Sequence, residues 1–229
     1  MIELAVFDMA GTTIEEHGAV YEALRHAVES TGVTVDAQDL QTWMGTDKRE
    51  AIDALVRLGG GTPDAELVER QYGVFRAFLK ERYEEVPPQP IAQADKALAE
   101  LRARGIKVAL STGFSADVAL PLLASLGWAT GEGGNLDAVV TADEVVRGRP
   151  APYMIHRAME KTGVVDVRKV LVAGDTAVDL QAGHHAGAGV VVGVLTGQLP
   201  RTELELHSHT YVLDSVAEVP GLAEATAAE

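Results

Sequence analysis

Short runs of valine, isoleucine and leucine alternate with helical patterns along most of the chain, and this alternation constrains the fold more than any other feature. The apolar runs lie at 2–7, 105–111, 136–141, 167–175, 189–196 and, more weakly, 211–216. Helical patterns lie at 91–105, 115–127, 151–163 and 176–187. Apolar runs without polar alternation are typical of parallel strands that are covered on both faces. Strands that alternate with helices predict a doubly wound α/β fold.

Residues 15–85 interrupt this alternation, because helical patterns follow one another there with no strand between them. These patterns lie at 17–32, 36–45, 47–61 and 63–85. The prolines of PPQP (87–90) end the last helix. We predict a helical domain at 15–88, joined by linkers near 13–18 and 85–90, and inserted into an α/β domain made of 1–14 and 89–229.

The composition restricts the partners of the chain. Its 229 residues include no cysteine and carry a formal net charge of −15. Any metal must therefore bind to oxygen or imidazole, and the absence of disulfides favours a cytoplasmic protein. An acidic chain repels nucleic acid and anionic membranes, and we expect neither as a partner. We predict no signal peptide and no membrane span, since no basic and apolar leader or long apolar stretch is present.

Polar residues gather at the predicted carboxyl ends of the strands, where open α/β sheets bind their ligands. Asp8 ends the first strand, and Ser111-Thr112-Gly113 ends the second. Arg149 follows the third strand, and Gly174-Asp175 ends the fourth, with Asp179 four residues later. Three carboxylates suit a hard cation such as Mg²⁺, and a hydroxyl, a backbone turn and an arginine suit phosphate. The set predicts an aspartate that attacks phosphorus.

Each of these signals alone also has a plainer explanation. A lone aspartate in a turn is usually a hydrogen-bonding cap, and Asp175 could be the N-cap of the following helix. A lone Ser-Thr-Gly is usually only a turn. Their occurrence in order, at successive strand ends, favours a joint site over four separate structural roles.

Four segments resemble the motifs of the haloacid dehalogenase superfamily: DMAGTT (8–13), LSTG (110–113), GRPAP (148–152) and GDTAVD (174–179). The resemblance implies a Mg²⁺-dependent phosphotransferase with a Rossmann-like core and a mobile cap, and the helical insert matches a cap placed after the first motif. It also implies that Asp8 is the nucleophile. Asp8, Asp175 and the backbone carbonyl of Ala10 would hold the metal, with Asp179 binding it directly or through water.

The resemblance assigns the phosphate to Ser111 and to the backbone around Thr112, with Arg149 in the usual Lys or Arg position. The residues predicted to bind phosphate or substrate are Ala10, Gly11, Thr12, Gly45, Ser111, Thr112, Gly113 and Arg149.

Ala10 departs from most phosphatases and mutases of the superfamily, which carry an aspartate two residues after the nucleophile. That aspartate protonates the leaving alkoxide and then activates water, a contribution worth roughly 10²–10⁴-fold in rate. The phosphonoacetaldehyde hydrolases, or phosphonatases, also have alanine there, within a D-x-A-G-T-T motif. A cap lysine of that family forms a Schiff base with the aldehyde, so the departing carbon becomes an enamine. With Ala10, another group must activate water.

Lys48 matches the position of that lysine, which follows a Met-Gly pair, here within MGTDKREAI (44–52). Asp47 and Glu50 resemble a capping box, which places Lys48 in the first helical turn. The positive end of a helix helps to free an amine for attack. The alternative is a charged helix start that faces solvent.

Two polar groups of the phosphonatases are replaced in this chain. Ala51 stands where they carry a histidine, and Phe114 where they carry a tyrosine. Ala10 and Lys48 still predict a phosphonatase-like hydrolase for phosphonoacetaldehyde or a related phosphonate. The alternatives are a phosphate-monoester phosphatase resembling phosphoglycolate phosphatases, and a non-catalytic phospho-receiver. The helical cap could also pair two subunits into a homodimer, as in phosphonatases.

Overall fold

The computed structural model describes residues 1–225, which divide into two compact units. The core unit comprises Met1–Glu15 and the described residues from Gln89 onward, and the helical unit comprises Glu16–Pro88. The strands are β1 Leu4–Asp8, β2 Ile14–Glu15, β3 Gln89–Pro90, β4 Lys107–Ser111, β5 Ala138–Val140, β6 Val170–Gly174, β7 Val190–Val194 and β8 Tyr211–Leu213. The α-helices are α1 Ala19–Glu29, α2 Ala37–Thr42, α3 Lys48–Leu58, α4 Ala65–Glu85, α5 Ala94–Ala103, α6 Ala116–Ser125, α7 Tyr153–Thr162, α8 Ala177–Ala186, α9 Arg201–Leu204 and α10 Val219–Ala225.

The core unit contains a parallel sheet with the strand order β5-β4-β1-β6-β7-β8, six strands among the described residues. Every residue of β1, β6 and β7 is buried. Val6 and Val172 belong to a buried cluster that also includes Met154 of α7 and Ala182 of α8. The predicted doubly wound α/β fold is therefore confirmed, and burial between helical layers explains why these strands are continuously apolar.

The described strands of the parallel sheet are all shorter than the apolar runs that predicted them. The run at 136–141 contains only the three residues of β5, and the run at 167–175 begins with a 3-10 turn at Val167–Lys169 before β6. The side chain of Asp166 starts that turn by accepting a hydrogen bond from the backbone N–H of Arg168 (3.0 Å). A local cap of this kind competes with strand pairing, so the strand begins later than the apolar pattern does.

The predicted linkers contain a pairing that the sequence pattern did not indicate. Ile14 pairs with Pro90 and Glu15 with Gln89, so β2 and β3 form an antiparallel ribbon. The backbone N–H of Ile91 extends the ribbon by donating to the carbonyl of Thr13 (2.9 Å). Strands of two residues are too short to produce an alternating pattern, and this ribbon could not be predicted.

The helical unit contains α1–α4, at the positions predicted from the sequence. Helix α1 packs against α3 and α4, with Leu24, Leu55 and Phe75 among the fully buried side chains. Aspartate side chains cap the starts of α2, α3 and α4 by accepting backbone hydrogen bonds. Within residues 1–225, none of the helices combines the length and the apolar character that crossing a bilayer requires.

Candidate active site

Adjacent strands of the core unit bring the motif residues to one edge of the sheet. Asp8 is the last residue of β1, and it pairs with Ser111, the last residue of β4. On its other side β1 pairs with β6, which ends at Gly174 directly before Asp175. Ligands bind at the carboxyl ends of parallel strands, so this edge is where the fold offers a site.

Three buried carboxylates form a cluster at this edge. One oxygen from each of Asp8, Asp175 and Asp179 lies within 4.8 Å of the other two, and each residue is at most 7% exposed. Asp179 also caps α8, because its Oδ2 accepts a hydrogen bond from the backbone N–H of Thr176 (3.0 Å). This cap fixes the Asp179 side chain and leaves its Oδ1 facing the guanidinium of Arg149.

Arg149 supplies the positive charge of the cluster and is itself only 3% exposed. Its Nη2 donates to Oδ1 of Asp8 (2.5 Å) and to the carbonyl of Ser111 (3.0 Å), while its Nη1 donates to Oδ1 of Asp179. Burial alone would lower the pKa of Arg149, but Asp179 and Asp8 outweigh burial and raise it. The guanidinium therefore stays charged. Its hydrogen bonds connect Arg149, which follows β5, to the last residues of β1 and β4 and to Asp179 of α8.

The electrostatics of the cluster favour an additional cation. Burial raises the pKa of Asp8 to about 6, with Arg149 opposing and Asp179 reinforcing that rise. Burial also raises the pKa of Asp175 well above its ordinary value, and the charges of Asp8 and Asp179 add to the effect. One guanidinium does not balance three carboxylates that are withdrawn from water. The donor set, which is entirely oxygen, fits a hard divalent cation.

The Gly-Thr-Thr turn after β1 supports two of these carboxylate residues. Thr12 donates its Oγ1 hydrogen to Oδ1 of Asp175 (2.8 Å), and Thr13 donates to the carbonyl of Asp8 (2.9 Å). Gly11 adopts φ +83°, and a Cβ at this position would lie 2.6 Å from Oδ2 of Asp175. A glycine is therefore required both by the backbone conformation and by the close approach of Asp175.

Two of the predicted phosphate ligands have their groups engaged within the protein. The hydroxyl of Thr12 binds Asp175, as described above, and the backbone N–H of Thr112 donates to the carbonyl of Val140 (3.0 Å). The Oγ1 of Thr112 accepts from the backbone N–H of Phe114 (3.1 Å). The Thr12 hydroxyl and the Thr112 N–H therefore already have acceptors within the protein, whereas the Thr112 hydroxyl keeps its own hydrogen to donate. All of the predicted phosphate ligands stay predictions.

Comparison with known proteins gives the family. The sequence profile of the haloacid dehalogenase-like hydrolases matches residues 2–187. The chain belongs to this family. Phosphonoacetaldehyde hydrolase from Bacillus cereus is 31% identical to this haloacid dehalogenase-like hydrolase over 230 residues, covering 94% of this chain and 83% of the relative. Membership in a hydrolase family makes the chain an enzyme, and the phospho-receiver alternative is not retained.

Solved structures share the fold of this chain. A hydrolase from Pseudomonas syringae matches this haloacid dehalogenase-like hydrolase with a TM-score of 0.85 at 22% identity, covering 97% of this chain and 98% of that one. A phosphonoacetaldehyde hydrolase-like protein from Oleispira antarctica matches with a TM-score of 0.80 at 25% identity, covering 98% and 92%.

One segment of the hydrolase near the carboxylates was missed by the sequence reasoning. Thr196, in the loop after β7, donates its Oγ1 hydrogen to the carbonyl of Gly11 (2.6 Å). A Cβ on the neighbouring Gly197 would overlap Oδ2 of Asp175. The signal that could have found them is their position, since Thr196-Gly197 follows a strand end as Asp8 and Asp175 do.

Lys48 and Gly45 lie in the helical unit, and all other predicted site residues lie in the core unit. Lys48 is the first residue of α3 after the N-cap Asp47, whose side chain accepts from the backbone N–H groups of Arg49 (2.9 Å) and Glu50 (3.0 Å). The lysine is 4% exposed, and its Nζ donates to the carbonyl of Thr46 (3.1 Å). The alternative of a solvent-facing Lys48 is therefore wrong for this hydrolase.

Proposed function

We propose that this hydrolase cleaves the carbon–phosphorus bond of phosphonoacetaldehyde or of a related phosphonate that carries a neighbouring carbonyl group. The observation that carries the proposal is Ala10, two residues after a buried Asp8. Alanine cannot protonate an alkoxide, whereas a carbanion delocalised into an imine needs no such acid. The similarity to phosphonoacetaldehyde hydrolase supports this interpretation.

We infer that Asp8, Asp175, Asp179 and the backbone carbonyl of Ala10 hold Mg²⁺. The oxygen donor set and the surplus of buried negative charge support this choice of cation. A bound Mg²⁺ would supply positive charge beside the carboxylate nucleophile and the phosphoryl oxygens. Arg149 would hold the phosphoryl group together with Ser111 and Gly113, and its contact with Asp8 orients the nucleophile.

The proposed reaction begins at Lys48. Its amine attacks the carbonyl carbon of the substrate, and water leaves as an imine forms. A carboxylate oxygen of Asp8 then attacks phosphorus while the carbon–phosphorus bond breaks, and the electron pair of that bond moves into the imine to give an enamine. Protonation of the enamine at carbon, followed by hydrolysis, releases the carbonyl compound and the lysine. Water hydrolyses the aspartyl-phosphate to phosphate and restores Asp8.

A second candidate is a phosphate-monoester phosphatase of the same family. The observation that favours it is the pair of apolar side chains where phosphonatases carry polar groups: Ala51 is 0% exposed and Phe114 is 3% exposed. Neither side chain can move a proton during imine chemistry. In this alternative Lys48 would contribute only a positive charge.

Phosphate release from a carbonyl phosphonate and from a phosphate ester distinguishes the two candidates. We expect the purified protein to release phosphate from phosphonoacetaldehyde with Mg²⁺, to release none in EDTA, and to act poorly on phosphoglycolate. Asp8→Asn should abolish release because an amide cannot attack phosphorus, and Asp95→Asn, at an exposed position of α5, should not. Turnover of phosphoglycolate alone would reject the proposal in favour of the phosphatase.

A further inference from the structure

The loop after β7, residues 195–200, lies against two parts of the carboxylate site, and nothing in the mechanism above uses it. We call it the β7 loop. Its Thr196 reaches the turn after β1, and its Gly197 lies beside Asp175. Both residues belong to the core unit, as do all of the carboxylates.

Thr196 holds the turn that carries the predicted backbone ligand. Its hydroxyl donates to the carbonyl of Gly11 (2.6 Å), and the N–H of Gly11 donates to the carbonyl of Ile14 (2.9 Å). Gly11 directly follows Ala10, so these two bonds fix the peptide units on both sides of Gly11. The orientation of the Ala10 carbonyl depends on that turn, which is free to change conformation at a glycine unless it is held.

Gly197 and Gly11 enclose one oxygen of Asp175 from two different loops. A Cβ at Gly11 would lie 2.6 Å from Oδ2, and a Cβ at Gly197 would overlap Oδ2 and lie 2.6 Å from Cγ. The other oxygen, Oδ1, accepts the hydroxyl of Thr12 (2.8 Å). The rotation of the carboxylate is therefore fixed by a hydrogen bond on one side and by the space that two glycines leave on the other.

We infer that Thr196 and Gly197 are positioning residues of the metal site, which hold the Gly11 turn and the Asp175 carboxylate in the orientation that binds Mg²⁺. The inference rests on the metal site of the proposed function, and it is independent of whether a phosphonate or a phosphate ester is the substrate. Groups that orient metal ligands typically contribute 10–100-fold to metal affinity.

Titration calorimetry with Mg²⁺ alone tests the inference without any turnover. Thr196→Val removes the hydroxyl at nearly constant shape, and Thr196→Ser keeps it. We expect Thr196→Val to weaken Mg²⁺ binding by roughly tenfold and Thr196→Ser to restore wild-type affinity. Gly197→Ala should weaken binding by roughly 10–100-fold, because its methyl group displaces the carboxylate of Asp175.

Gly73→Ala is the matched control, because a Cβ there meets no described atom within 4 Å outside its chain neighbours and the nearby backbone of α4. It should bind Mg²⁺ as the wild type does. Circular dichroism and thermal unfolding establish that each variant is folded, and if Gly197→Ala does not fold, the Thr196 pair decides. A purely structural role would lower the unfolding temperature and leave the Mg²⁺ dissociation constant unchanged.

Asp175→Asn separates failure of the inference from failure of the metal site. If the wild type binds no Mg²⁺, or if Asp175→Asn binds it equally well, both the metal site and the inference are rejected. If Asp175→Asn loses Mg²⁺ while folded Thr196→Val and Gly197→Ala keep wild-type affinity, only the positioning role is overturned. Weakened binding in Thr196→Val, with rescue in Thr196→Ser, establishes it.

Discussion

At the scale of single residues, Arg149 determines how three carboxylates can be buried together. Its guanidinium contacts Asp8, Asp179 and the carbonyl of Ser111, and its position after β5 brings a cation into a cluster built from other strands. Asp175 is left without a contact to a guanidinium among the described residues and depends on the Thr12 hydroxyl. The site is thus stable enough to form, yet it keeps unbalanced charge that a metal can use.

Replacing Arg149 should therefore destabilise the protein more when no metal is present. Arg149→Met leaves buried carboxylates without their cation, and breaking such an ion pair costs about 3–5 kcal/mol in the free energy of unfolding. Mg²⁺ should restore part of this loss, because a cation that binds the folded state stabilises it. Urea unfolding in EDTA and in Mg²⁺ measures both values. Equal stability of the variant and the wild type in EDTA would show that the ion pairs contribute nothing.

At the scale of secondary-structure elements, each edge strand of the sheet has a backbone carbonyl that accepts a hydrogen bond from a cationic side chain. Lys161 of α7 donates from Nζ to the carbonyl of Val139 in β5 (2.6 Å). Arg201 of α9 donates from Nη1 to the carbonyl of Val212 in β8 (3.0 Å). Exposed edges template pairing with other chains, and lysine or arginine at an edge is a known protection against it.

Removing both cations should make the protein associate through its sheet edges. We expect Lys161→Met combined with Arg201→Met to give larger species as the protein concentration rises, because two edge carbonyls lose their partners. Size-exclusion chromatography with light scattering measures this, and Lys80→Met, at an exposed position of α4, is the control. If the double variant keeps the wild-type mass at every concentration, these contacts do not protect the edges.

At the scale of the whole molecule, the sequence predicts the features that follow from burial and from the order of strands and helices. The strands could be located because parallel strands are apolar on both faces, and Asp8, Asp175 and Asp179 could be grouped because the ends of such strands meet at one edge. The hydrogen bond from Thr12 to Asp175 spans 163 residues, and no local pattern indicates it. Gly197 matters because a side chain there would overlap Asp175, and no sequence pattern indicates that close approach.

The proposed mechanism assigns chemistry to both units, since Lys48 belongs to the helical unit and Asp8 to the core unit. Lys48 is also the residue on which the two candidate functions differ. In the proposed mechanism, a Schiff base would explain why Ala10 is tolerated, because it would provide the electron sink that replaces a proton donor. A phosphatase needs no covalent bond to Lys48.

Borohydride trapping shows whether Lys48 forms an imine with the substrate. Reduction during turnover of phosphonoacetaldehyde should inactivate the enzyme and add the mass of the reduced adduct to the peptide that contains Lys48. Lys48→Arg should lose both the adduct and the activity, because a guanidinium stays protonated and forms no imine, while Lys80→Arg should keep both. An active enzyme with no adduct at Lys48, or a Lys48→Arg variant that still cleaves the phosphonate, would contradict the account.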